Sequence, residues 1–153
     1  MKRLAFLAAL IAIVTPSAAQ QRVQTGVLEC LSNPTFGAII GSVRTMNCVF
    51  KPTQGPEQYY SGTQARVGID LGVQAGAAIL WAVFAPTRQL GPGELQGTFG
   101  GVSTEAAAVL GVGANVLVGG SNSTVTLQPL SVEGSIGISA ALGVSALTLT
   151  YLP

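Results

Sequence analysis

The chain has 153 residues, 48% of them apolar and 8% charged, with a formal net charge of +1 and no histidine. That balance is the reverse of a disordered chain's, and the length suits one domain with a real hydrophobic core. Scattered charge with no basic face excludes nucleic-acid binding. The lack of histidine removes Ser-His-Asp and Cys-His catalysis and histidine zinc sites, so no metal site, cofactor or catalytic residue is expected.

The chain opens with Lys2 and Arg3, an uncharged apolar run from Leu4 to Val14, and the stretch Thr15-Pro16-Ser17-Ala18-Ala19. This is the layout of a secretory signal, and the apolar run is too short for a permanent bilayer anchor. The expectation is a signal peptide over 1–19, cut after Ala19, and a single β domain over 20–153 that works outside the cytosol. Past the leader, Arg22, Arg44, Lys51, Arg66 and Arg88 stand against Glu29, Glu57, Asp70, Glu94, Glu105 and Glu133, five against six, for a net charge of −1. Cys30 and Cys48 are the only cysteines. In an oxidising compartment such an isolated pair forms a structural disulfide, whereas redox pairs sit two residues apart at a helix start. Closing a loop of about 18 residues is worth roughly 3 kcal/mol on the chain-entropy model.

Residues 22–31 read as a first strand, Ser32-Asn33-Pro34 as a turn, and 37–50 as a second strand. A loop follows over 51–57, with two prolines and a glycine. Residues 62–74 alternate, Ala65, Val67, Ile69, Leu71 and Val73 against Arg66, Gly68, Asp70, Gly72 and Gln74, as a half-buried strand does. Ala75-Gly76 is a candidate turn. Residues 77–85 are apolar on both faces and fit a central strand covered on both sides. Pro86–Gly97 reads as a long loop that Leu90 and Leu95 pack down like a flap. Over Thr98–Val118, strand with bulges is preferred to helix, because Gly111 and Gly113 would cost a helix about 1 kcal/mol each. Residues 119–123 make a hairpin turn. From Thr124 to Tyr151 the apolar parity changes twice, first at Pro129, and a one-residue change of phase is what a β-bulge produces. Together these features predict an all-β chain, a small curved antiparallel β-barrel or β-sandwich with bulged, glycine-rich strands and one disulfide.

The short motifs add little chemistry. Gly68, Gly72 and Gly76 are spaced as in membrane helix dimers, yet Asp70 between them favours strand glycines. Gly111-Val-Gly113 lacks the third glycine of a dinucleotide loop, and Ser103 resembles a nucleophile elbow without the histidine that it needs. Asn122-Ser123-Thr124 is a polar turn. Asp70, Glu105 and Glu133 are expected within strands, facing solvent or pairing with Arg66 or Arg88 rather than forming a glycosidase pair. Tyr59 and Tyr60, at a loop–strand junction, either pack or line a binding mouth; with Trp81 and Phe84 they are the candidate ligand contacts.

Residues 26–30 (Gly26-Val-Leu-Glu-Cys30), 47–50, 59–62, 81–86, 113–121 and 128–134 are together similar to one family, the Domain of Unknown Function 992 family of small exported proteins found mainly in alphaproteobacteria. The resemblance covers nearly all of the chain past the leader. It implies a Gram-negative periplasm, where both cysteines are oxidised, and it brings no activity, ligand or catalytic residue. The stretch Gly97-Thr-Phe-Gly-Gly-Val-Ser-Thr-Glu105 with its Gly/Val/Leu tail also resembles the SYLF lipid-binding domain and envelope-integrity proteins with small β-barrels. That second resemblance implies a barrel binding lipid or another apolar envelope molecule.

The expectation is therefore a non-enzymatic periplasmic β-barrel that binds an apolar ligand, a lipid or an envelope component, associated with a membrane but not integral to it. The alternative is a structural or interaction module assembling through the apolar strand 77–85. A small outer-membrane barrel ranks below both, because the chain has too few aromatics for two girdles.

Overall fold

The computed structural model describes residues 21–33, 35–36, 39–40, 43–66, 69–70, 73–74, 78–101, 116–131 and 144–153. The expected leader and its cleavage point at Ala19 lie outside them, as do Glu105, Glu133 and the Ala75-Gly76 turn. In chain order the strands are β1 (Val23–Ser32), β2 (Thr35–Phe36), β3 (Ile39–Ile40), β4 (Val43–Pro52), β5 (Gln58–Arg66), β6 (Ile69–Asp70), β7 (Val73–Gln74), β8 (Ala78–Ala85), β9 (Gly97–Gly101), β10 (Leu117–Gly119), β11 (Val125–Ser131) and β12 (Val144–Leu152). One 3-10 turn, Ser121–Ser123, joins β10 to β11. Eight of the strands close into a barrel in the order β1-β4-β5-β12-β9-β10-β11-β8, and every pairing is antiparallel.

Period-two alternation sorts each strand into an inward and an outward set. In β4, Arg44, Met46, Cys48 and Phe50 are buried while Val43, Thr45, Asn47 and Lys51 are exposed. Leu28 and Cys30 of β1, Ile79, Trp81 and Val83 of β8, and Leu147 and Leu149 of β12 point the same way as Phe50 and join Tyr60, Phe99, Leu117, Val125 and Leu127 in one core. An eight-stranded barrel is just wide enough for side chains to fill it. Here Trp81, Tyr60, Phe50 and Phe99 are all fully buried and occupy that width. Trp81 stands opposite Leu28 on one side and Pro129 on the other.

The phase change foreseen at Pro129 is a bulge: the β8–β11 register slips between Pro129 and Ser131. Proline has no N–H for a ladder, and a bulge is one of the few places in a sheet that tolerates it. Further slips between Gln24 and Gly26, and between Val144 and Ala146, bend β1 and β12.

The alternating run 62–74 is not one strand. Residues up to Arg66 pair with β4 and β12, whereas Ile69–Asp70 and Val73–Gln74 pair with β3 and β2. Within β5 the inward parity is that of Tyr60, Gly62 and buried Gln64, and Ala65 shares the outward parity of exposed Thr63, so the apolar set of the alternating run does not mark the core face there. Nor does the ladder stop for good at Ser32. The pairs Leu31–Ala78, Thr35–Gln74, Phe36–Val73, Ile39–Asp70 and Ile40–Ile69 follow a single register, one step forward on one strand matching one step back on the other. The β2–β7 and β3–β6 pairs thus keep the register of the β1–β8 ladder as two separate two-stranded sheets.

Cys30 and Cys48 face each other directly across β1 and β4 and are bonded, with Sγ–Sγ 2.03 Å, inside the core. Replacing both by alanine should lower unfolding stability by about 3 kcal/mol. Urea titration of the oxidised chain and the double variant measures this, and coincident midpoints would contradict it.

Candidate functional site

One end of the barrel is strapped. Because β10 and β11 lie between β8 and β9, the connection 86–96 must cross the mouth to join them. Leu95 drops from this strap into the core and is fully buried, with Leu90 packed beside it, so the flap expected from these two leucines is present. The strap is pinned at both edges. Tyr60 Oη donates to Gln58 Oε1 at 2.6 Å, and Gln58 Nε2 donates to the Leu90 carbonyl at 3.2 Å. Gln89 Nε2 donates to Gln54 Oε1 at 2.8 Å, and the Ser121 N–H to the Glu94 carbonyl at 3.3 Å. Within the strap, the Gly91 N–H donates to Glu94 Oε2 at 2.6 Å.

Two clefts flank the strap. One, of about 400 Å³, lies between it and the β4–β5 turn and is walled by Gln54, Gln58 and Gln89 with three prolines. The other, of about 240 Å³, lies between the strap and the β10–β11 turn and is walled by Thr87, Ser121, Asn122 and Thr124. Leu90 and Glu94 line both.

The four aromatic residues singled out in the sequence do not form one site. Tyr60 and Trp81 point inward and are buried. Tyr60 packs against Tyr151, ring centroids 5.4 Å apart. Tyr59 points outward, 53% exposed, opposite Val49 and Leu152. Phe84 is half-buried on the outside of β8. Burial pushes the Tyr60 hydroxyl above the ordinary tyrosine value, against a smaller lowering from hydrogen bonds with the backbone of Leu95 and Gly93. A raised native pKa stabilises the fold below the unfolded value of 10.0 and loses that contribution as pH rises through the native one. A spectrophotometric alkaline titration should therefore show a late tyrosine step that Tyr60→Phe removes; the same curve for both chains would contradict it.

The outside of the barrel has two unlike sides. Around β8 it is apolar: Leu80 and Phe84 are half-buried on that strand, with Val27 and Leu31 on β1 and the bulged Leu130 on β11. Leu31 and Leu130 are 53% and 50% exposed. The strand 77–85, expected to be covered on both faces, is thus covered fully on its inner face and partly on its outer one. Polar groups border this face: Glu29 is bound to Lys51 Nζ at 2.8 Å, and Phe84 is flanked by Gln24 and by Thr126, whose hydroxyl accepts from Arg22.

Diametrically across, the outward positions carry two hydroxyl-rich rows, flanked by exposed Val43 on one side and by exposed Tyr59 and Leu152 on the other. Thr45, Thr63, Thr148 and Thr98 form one row over four adjacent strands, the last two with hydroxyls 3.1 Å apart. Asn47, Ser61 and Thr150 form a second row.

The exposed leucines and the strap glutamines escaped sequence reasoning. Leu130 carried a usable signal in its change of phase, while Leu31, Gln54 and Gln89 had none, because strands and loops distant in sequence bring them together. Asp70 does lie in a strand, β6. Among the described residues, no three of Cys, Asp and Glu gather as metal ligands would.

These features define a closed, eight-stranded antiparallel barrel with a filled interior, a strapped mouth and an apolar patch on the outside around β8. A model of the family described as Protein of unknown function (DUF992) matches residues 9–150, and the chain belongs to that family. No curated protein and no solved structure matches it.

Proposed function

We propose that this protein is an exported, non-enzymatic β-barrel of the periplasm that binds an apolar component of the cell envelope on the outer face of β8. The observation that carries this reading is the pairing of a filled interior with an exposed apolar exterior. Side chains occupy the barrel and Leu95 closes its mouth, so an acyl chain finds no room within the described part. Leu31, Leu80, Phe84 and Leu130 offer it a surface outside. Contiguous exposed apolar patches of this kind mark interaction sites.

The hydroxyl-rich rows across β4, β5, β12 and β9 support surface association over insertion, since a membrane-embedded barrel shows lipid an unbroken apolar band on all its strands. Carboxylate catalysis of the glycosidase type needs two acids flanking one bond. Here Glu29 is tied to Lys51, and among the described residues Glu94 is the sole carboxylate lining the two clefts.

Flotation with phosphatidylethanolamine–phosphatidylglycerol vesicles tests the reading. The oxidised chain should float with the lipid, and Leu80→Glu with Leu130→Glu should reduce the bound fraction about tenfold, since charge on a contact face costs more than 1.4 kcal/mol. A chain that stays at the bottom, or a variant that floats equally well, would overturn it. In a second reading the same exposed apolar face joins two copies: β8 has no free edge, so association through it must be face to face. Light scattering on the same two chains would then show a dimer that the double substitution dissolves.

A further inference from the structure

The strapped end carries a second, chemically different surface. Its two clefts share Leu90 and Glu94 as walls, a trough of two compartments divided by the strap. The larger, at about 400 Å³, is within the size range of small-ligand sites. Among the described residues, the polar side chains that line the trough are amides and hydroxyls, with one carboxylate and no Lys or Arg. A phosphate or carboxylate ligand would find no cation there and would meet Glu94 instead. An acyl chain would strip water from amides that it could not bond.

What the walls do match is a molecule that both donates and accepts hydrogen bonds through many neutral groups. Gln89 Nε2 is committed to Gln54 Oε1, which leaves the Gln54 amide as a donor and the Gln89 carbonyl as an acceptor, held side by side. That couple is the complement of two neighbouring hydroxyls. Glu94 Oε2 is held by the Gly91 N–H, which leaves Oε1 to accept from a ligand hydroxyl or acetamido N–H at the strap. In the smaller compartment, Asn122 sits at φ 58° on the 3-10 turn with Ser121 and Thr87 nearby. Leu90 and the prolines supply rigid apolar surface for the C–H face of a ring.

We propose that this trough binds a neutral saccharide, one sugar ring in each compartment, and does not cleave it. The step beyond the preceding reading is independent of it, because the β8 face takes no part. Cleavage would require a second carboxylate across the bond from Glu94. No tryptophan or tyrosine lines the trough as a stacking platform, so the affinity belongs in the millimolar range, about 1 mM.

The test is a titration of the isotopically labelled, oxidised chain by amide NMR with cellobiose, maltose and N,N′-diacetylchitobiose, and with glucose 6-phosphate as the anionic comparison. At least one neutral disaccharide should shift the amides of Gly91, Glu94, Ser121 and Asn122 with a millimolar midpoint, and the phosphate sugar should not. Glu94→Gln keeps an oxygen for the Gly91 N–H, and Asn122→Gly suits the positive φ, so both variants keep the fold. Each should weaken binding about tenfold, the effect of losing one well-placed hydrogen bond. No shift with any of the three disaccharides at 50 mM (about fifty times the expected midpoint), shifts elsewhere on the barrel, or unchanged midpoints in both variants would overturn the proposal. Vesicle flotation of Glu94→Gln should match that of the unaltered chain, so the two readings fail separately.

Discussion

Leu95→Ala should cost about 2–5 kcal/mol of unfolding free energy, the range for removing a large aliphatic side chain from a packed core. The residue comes from a connection and not from a strand, yet it is as buried as Phe99 or Leu127. It fills the mouth that the crossing of 86–96 would otherwise leave open. Its loss leaves a void beneath a strap still held by Tyr60, Gln58 and Gln89, so the neighbours cannot collapse inward to fill it. Leu90 is only partly buried on the same strap and should cost well under half as much when cut to alanine. Equilibrium urea unfolding of the two variants makes the comparison. Equal, small losses would mean that the strap rests on a core already complete without it.

Gly119→Ala should be nearly as damaging, for the opposite reason. A Cβ there would lie 2.1 Å from the Thr98 carbonyl oxygen and 2.6 Å from Phe99 Cα. Both are backbone atoms of the neighbouring strand, so no side chain can rotate out of the way. Relief requires β9 and β10 to move apart, which breaks a short ladder whose pairs are Leu117–Gly101 and Val118–Gly100. A loss of about 3 kcal/mol is expected, the upper end of overpacking costs. Gly100 on the partner strand is the comparison: a Cβ there meets nothing within 4 Å. Gly100→Ala should be neutral or raise stability by about 0.4–1 kcal/mol through the unfolded state. Thermal melts that rank the two substitutions the other way would contradict the close approach of β9 and β10.

Both effects bear on how much of this molecule its residues disclose. Strands were readable, as were the shared parity of Val125, Leu127, Leu147 and Leu149, the break of phase at Pro129 and the turn at residues 119–123, which follow from local pattern and turn chemistry. So did the Cys30–Cys48 bridge, from compartment and spacing. Lateral order was not readable. Nothing in Val144–Leu152 says that it will lie between β5 and β9, and nothing in Ala78–Ala85 says that β1 will be its neighbour. Those choices depend on long-range ladders closing into a ring, which alternation does not encode.

The candidate sites inherit the same division. Burial of Trp81 and Tyr60 in the core follows from an apolar strand and a strand junction. The apolar exterior needs β1, β8 and β11 side by side, and the trough needs three separate turns at one rim. The aromatic candidates for ligand contact illustrate the point: neighbours in sequence, Tyr59 and Tyr60 stand on opposite faces of one strand, as period two requires.

Whether partners meet the outside of the barrel or its interior is best decided by tryptophan quenching with vesicles of brominated phospholipid. Trp81 is the sole tryptophan and lies inside; a second chain, Trp81→Phe with Phe84→Trp, carries the reporter on the outer face of the same strand. Strong quenching at position 84 with little at 81 is the expected result. Strong quenching of Trp81 in the unaltered chain would place the acyl chains within the barrel and contradict a filled interior.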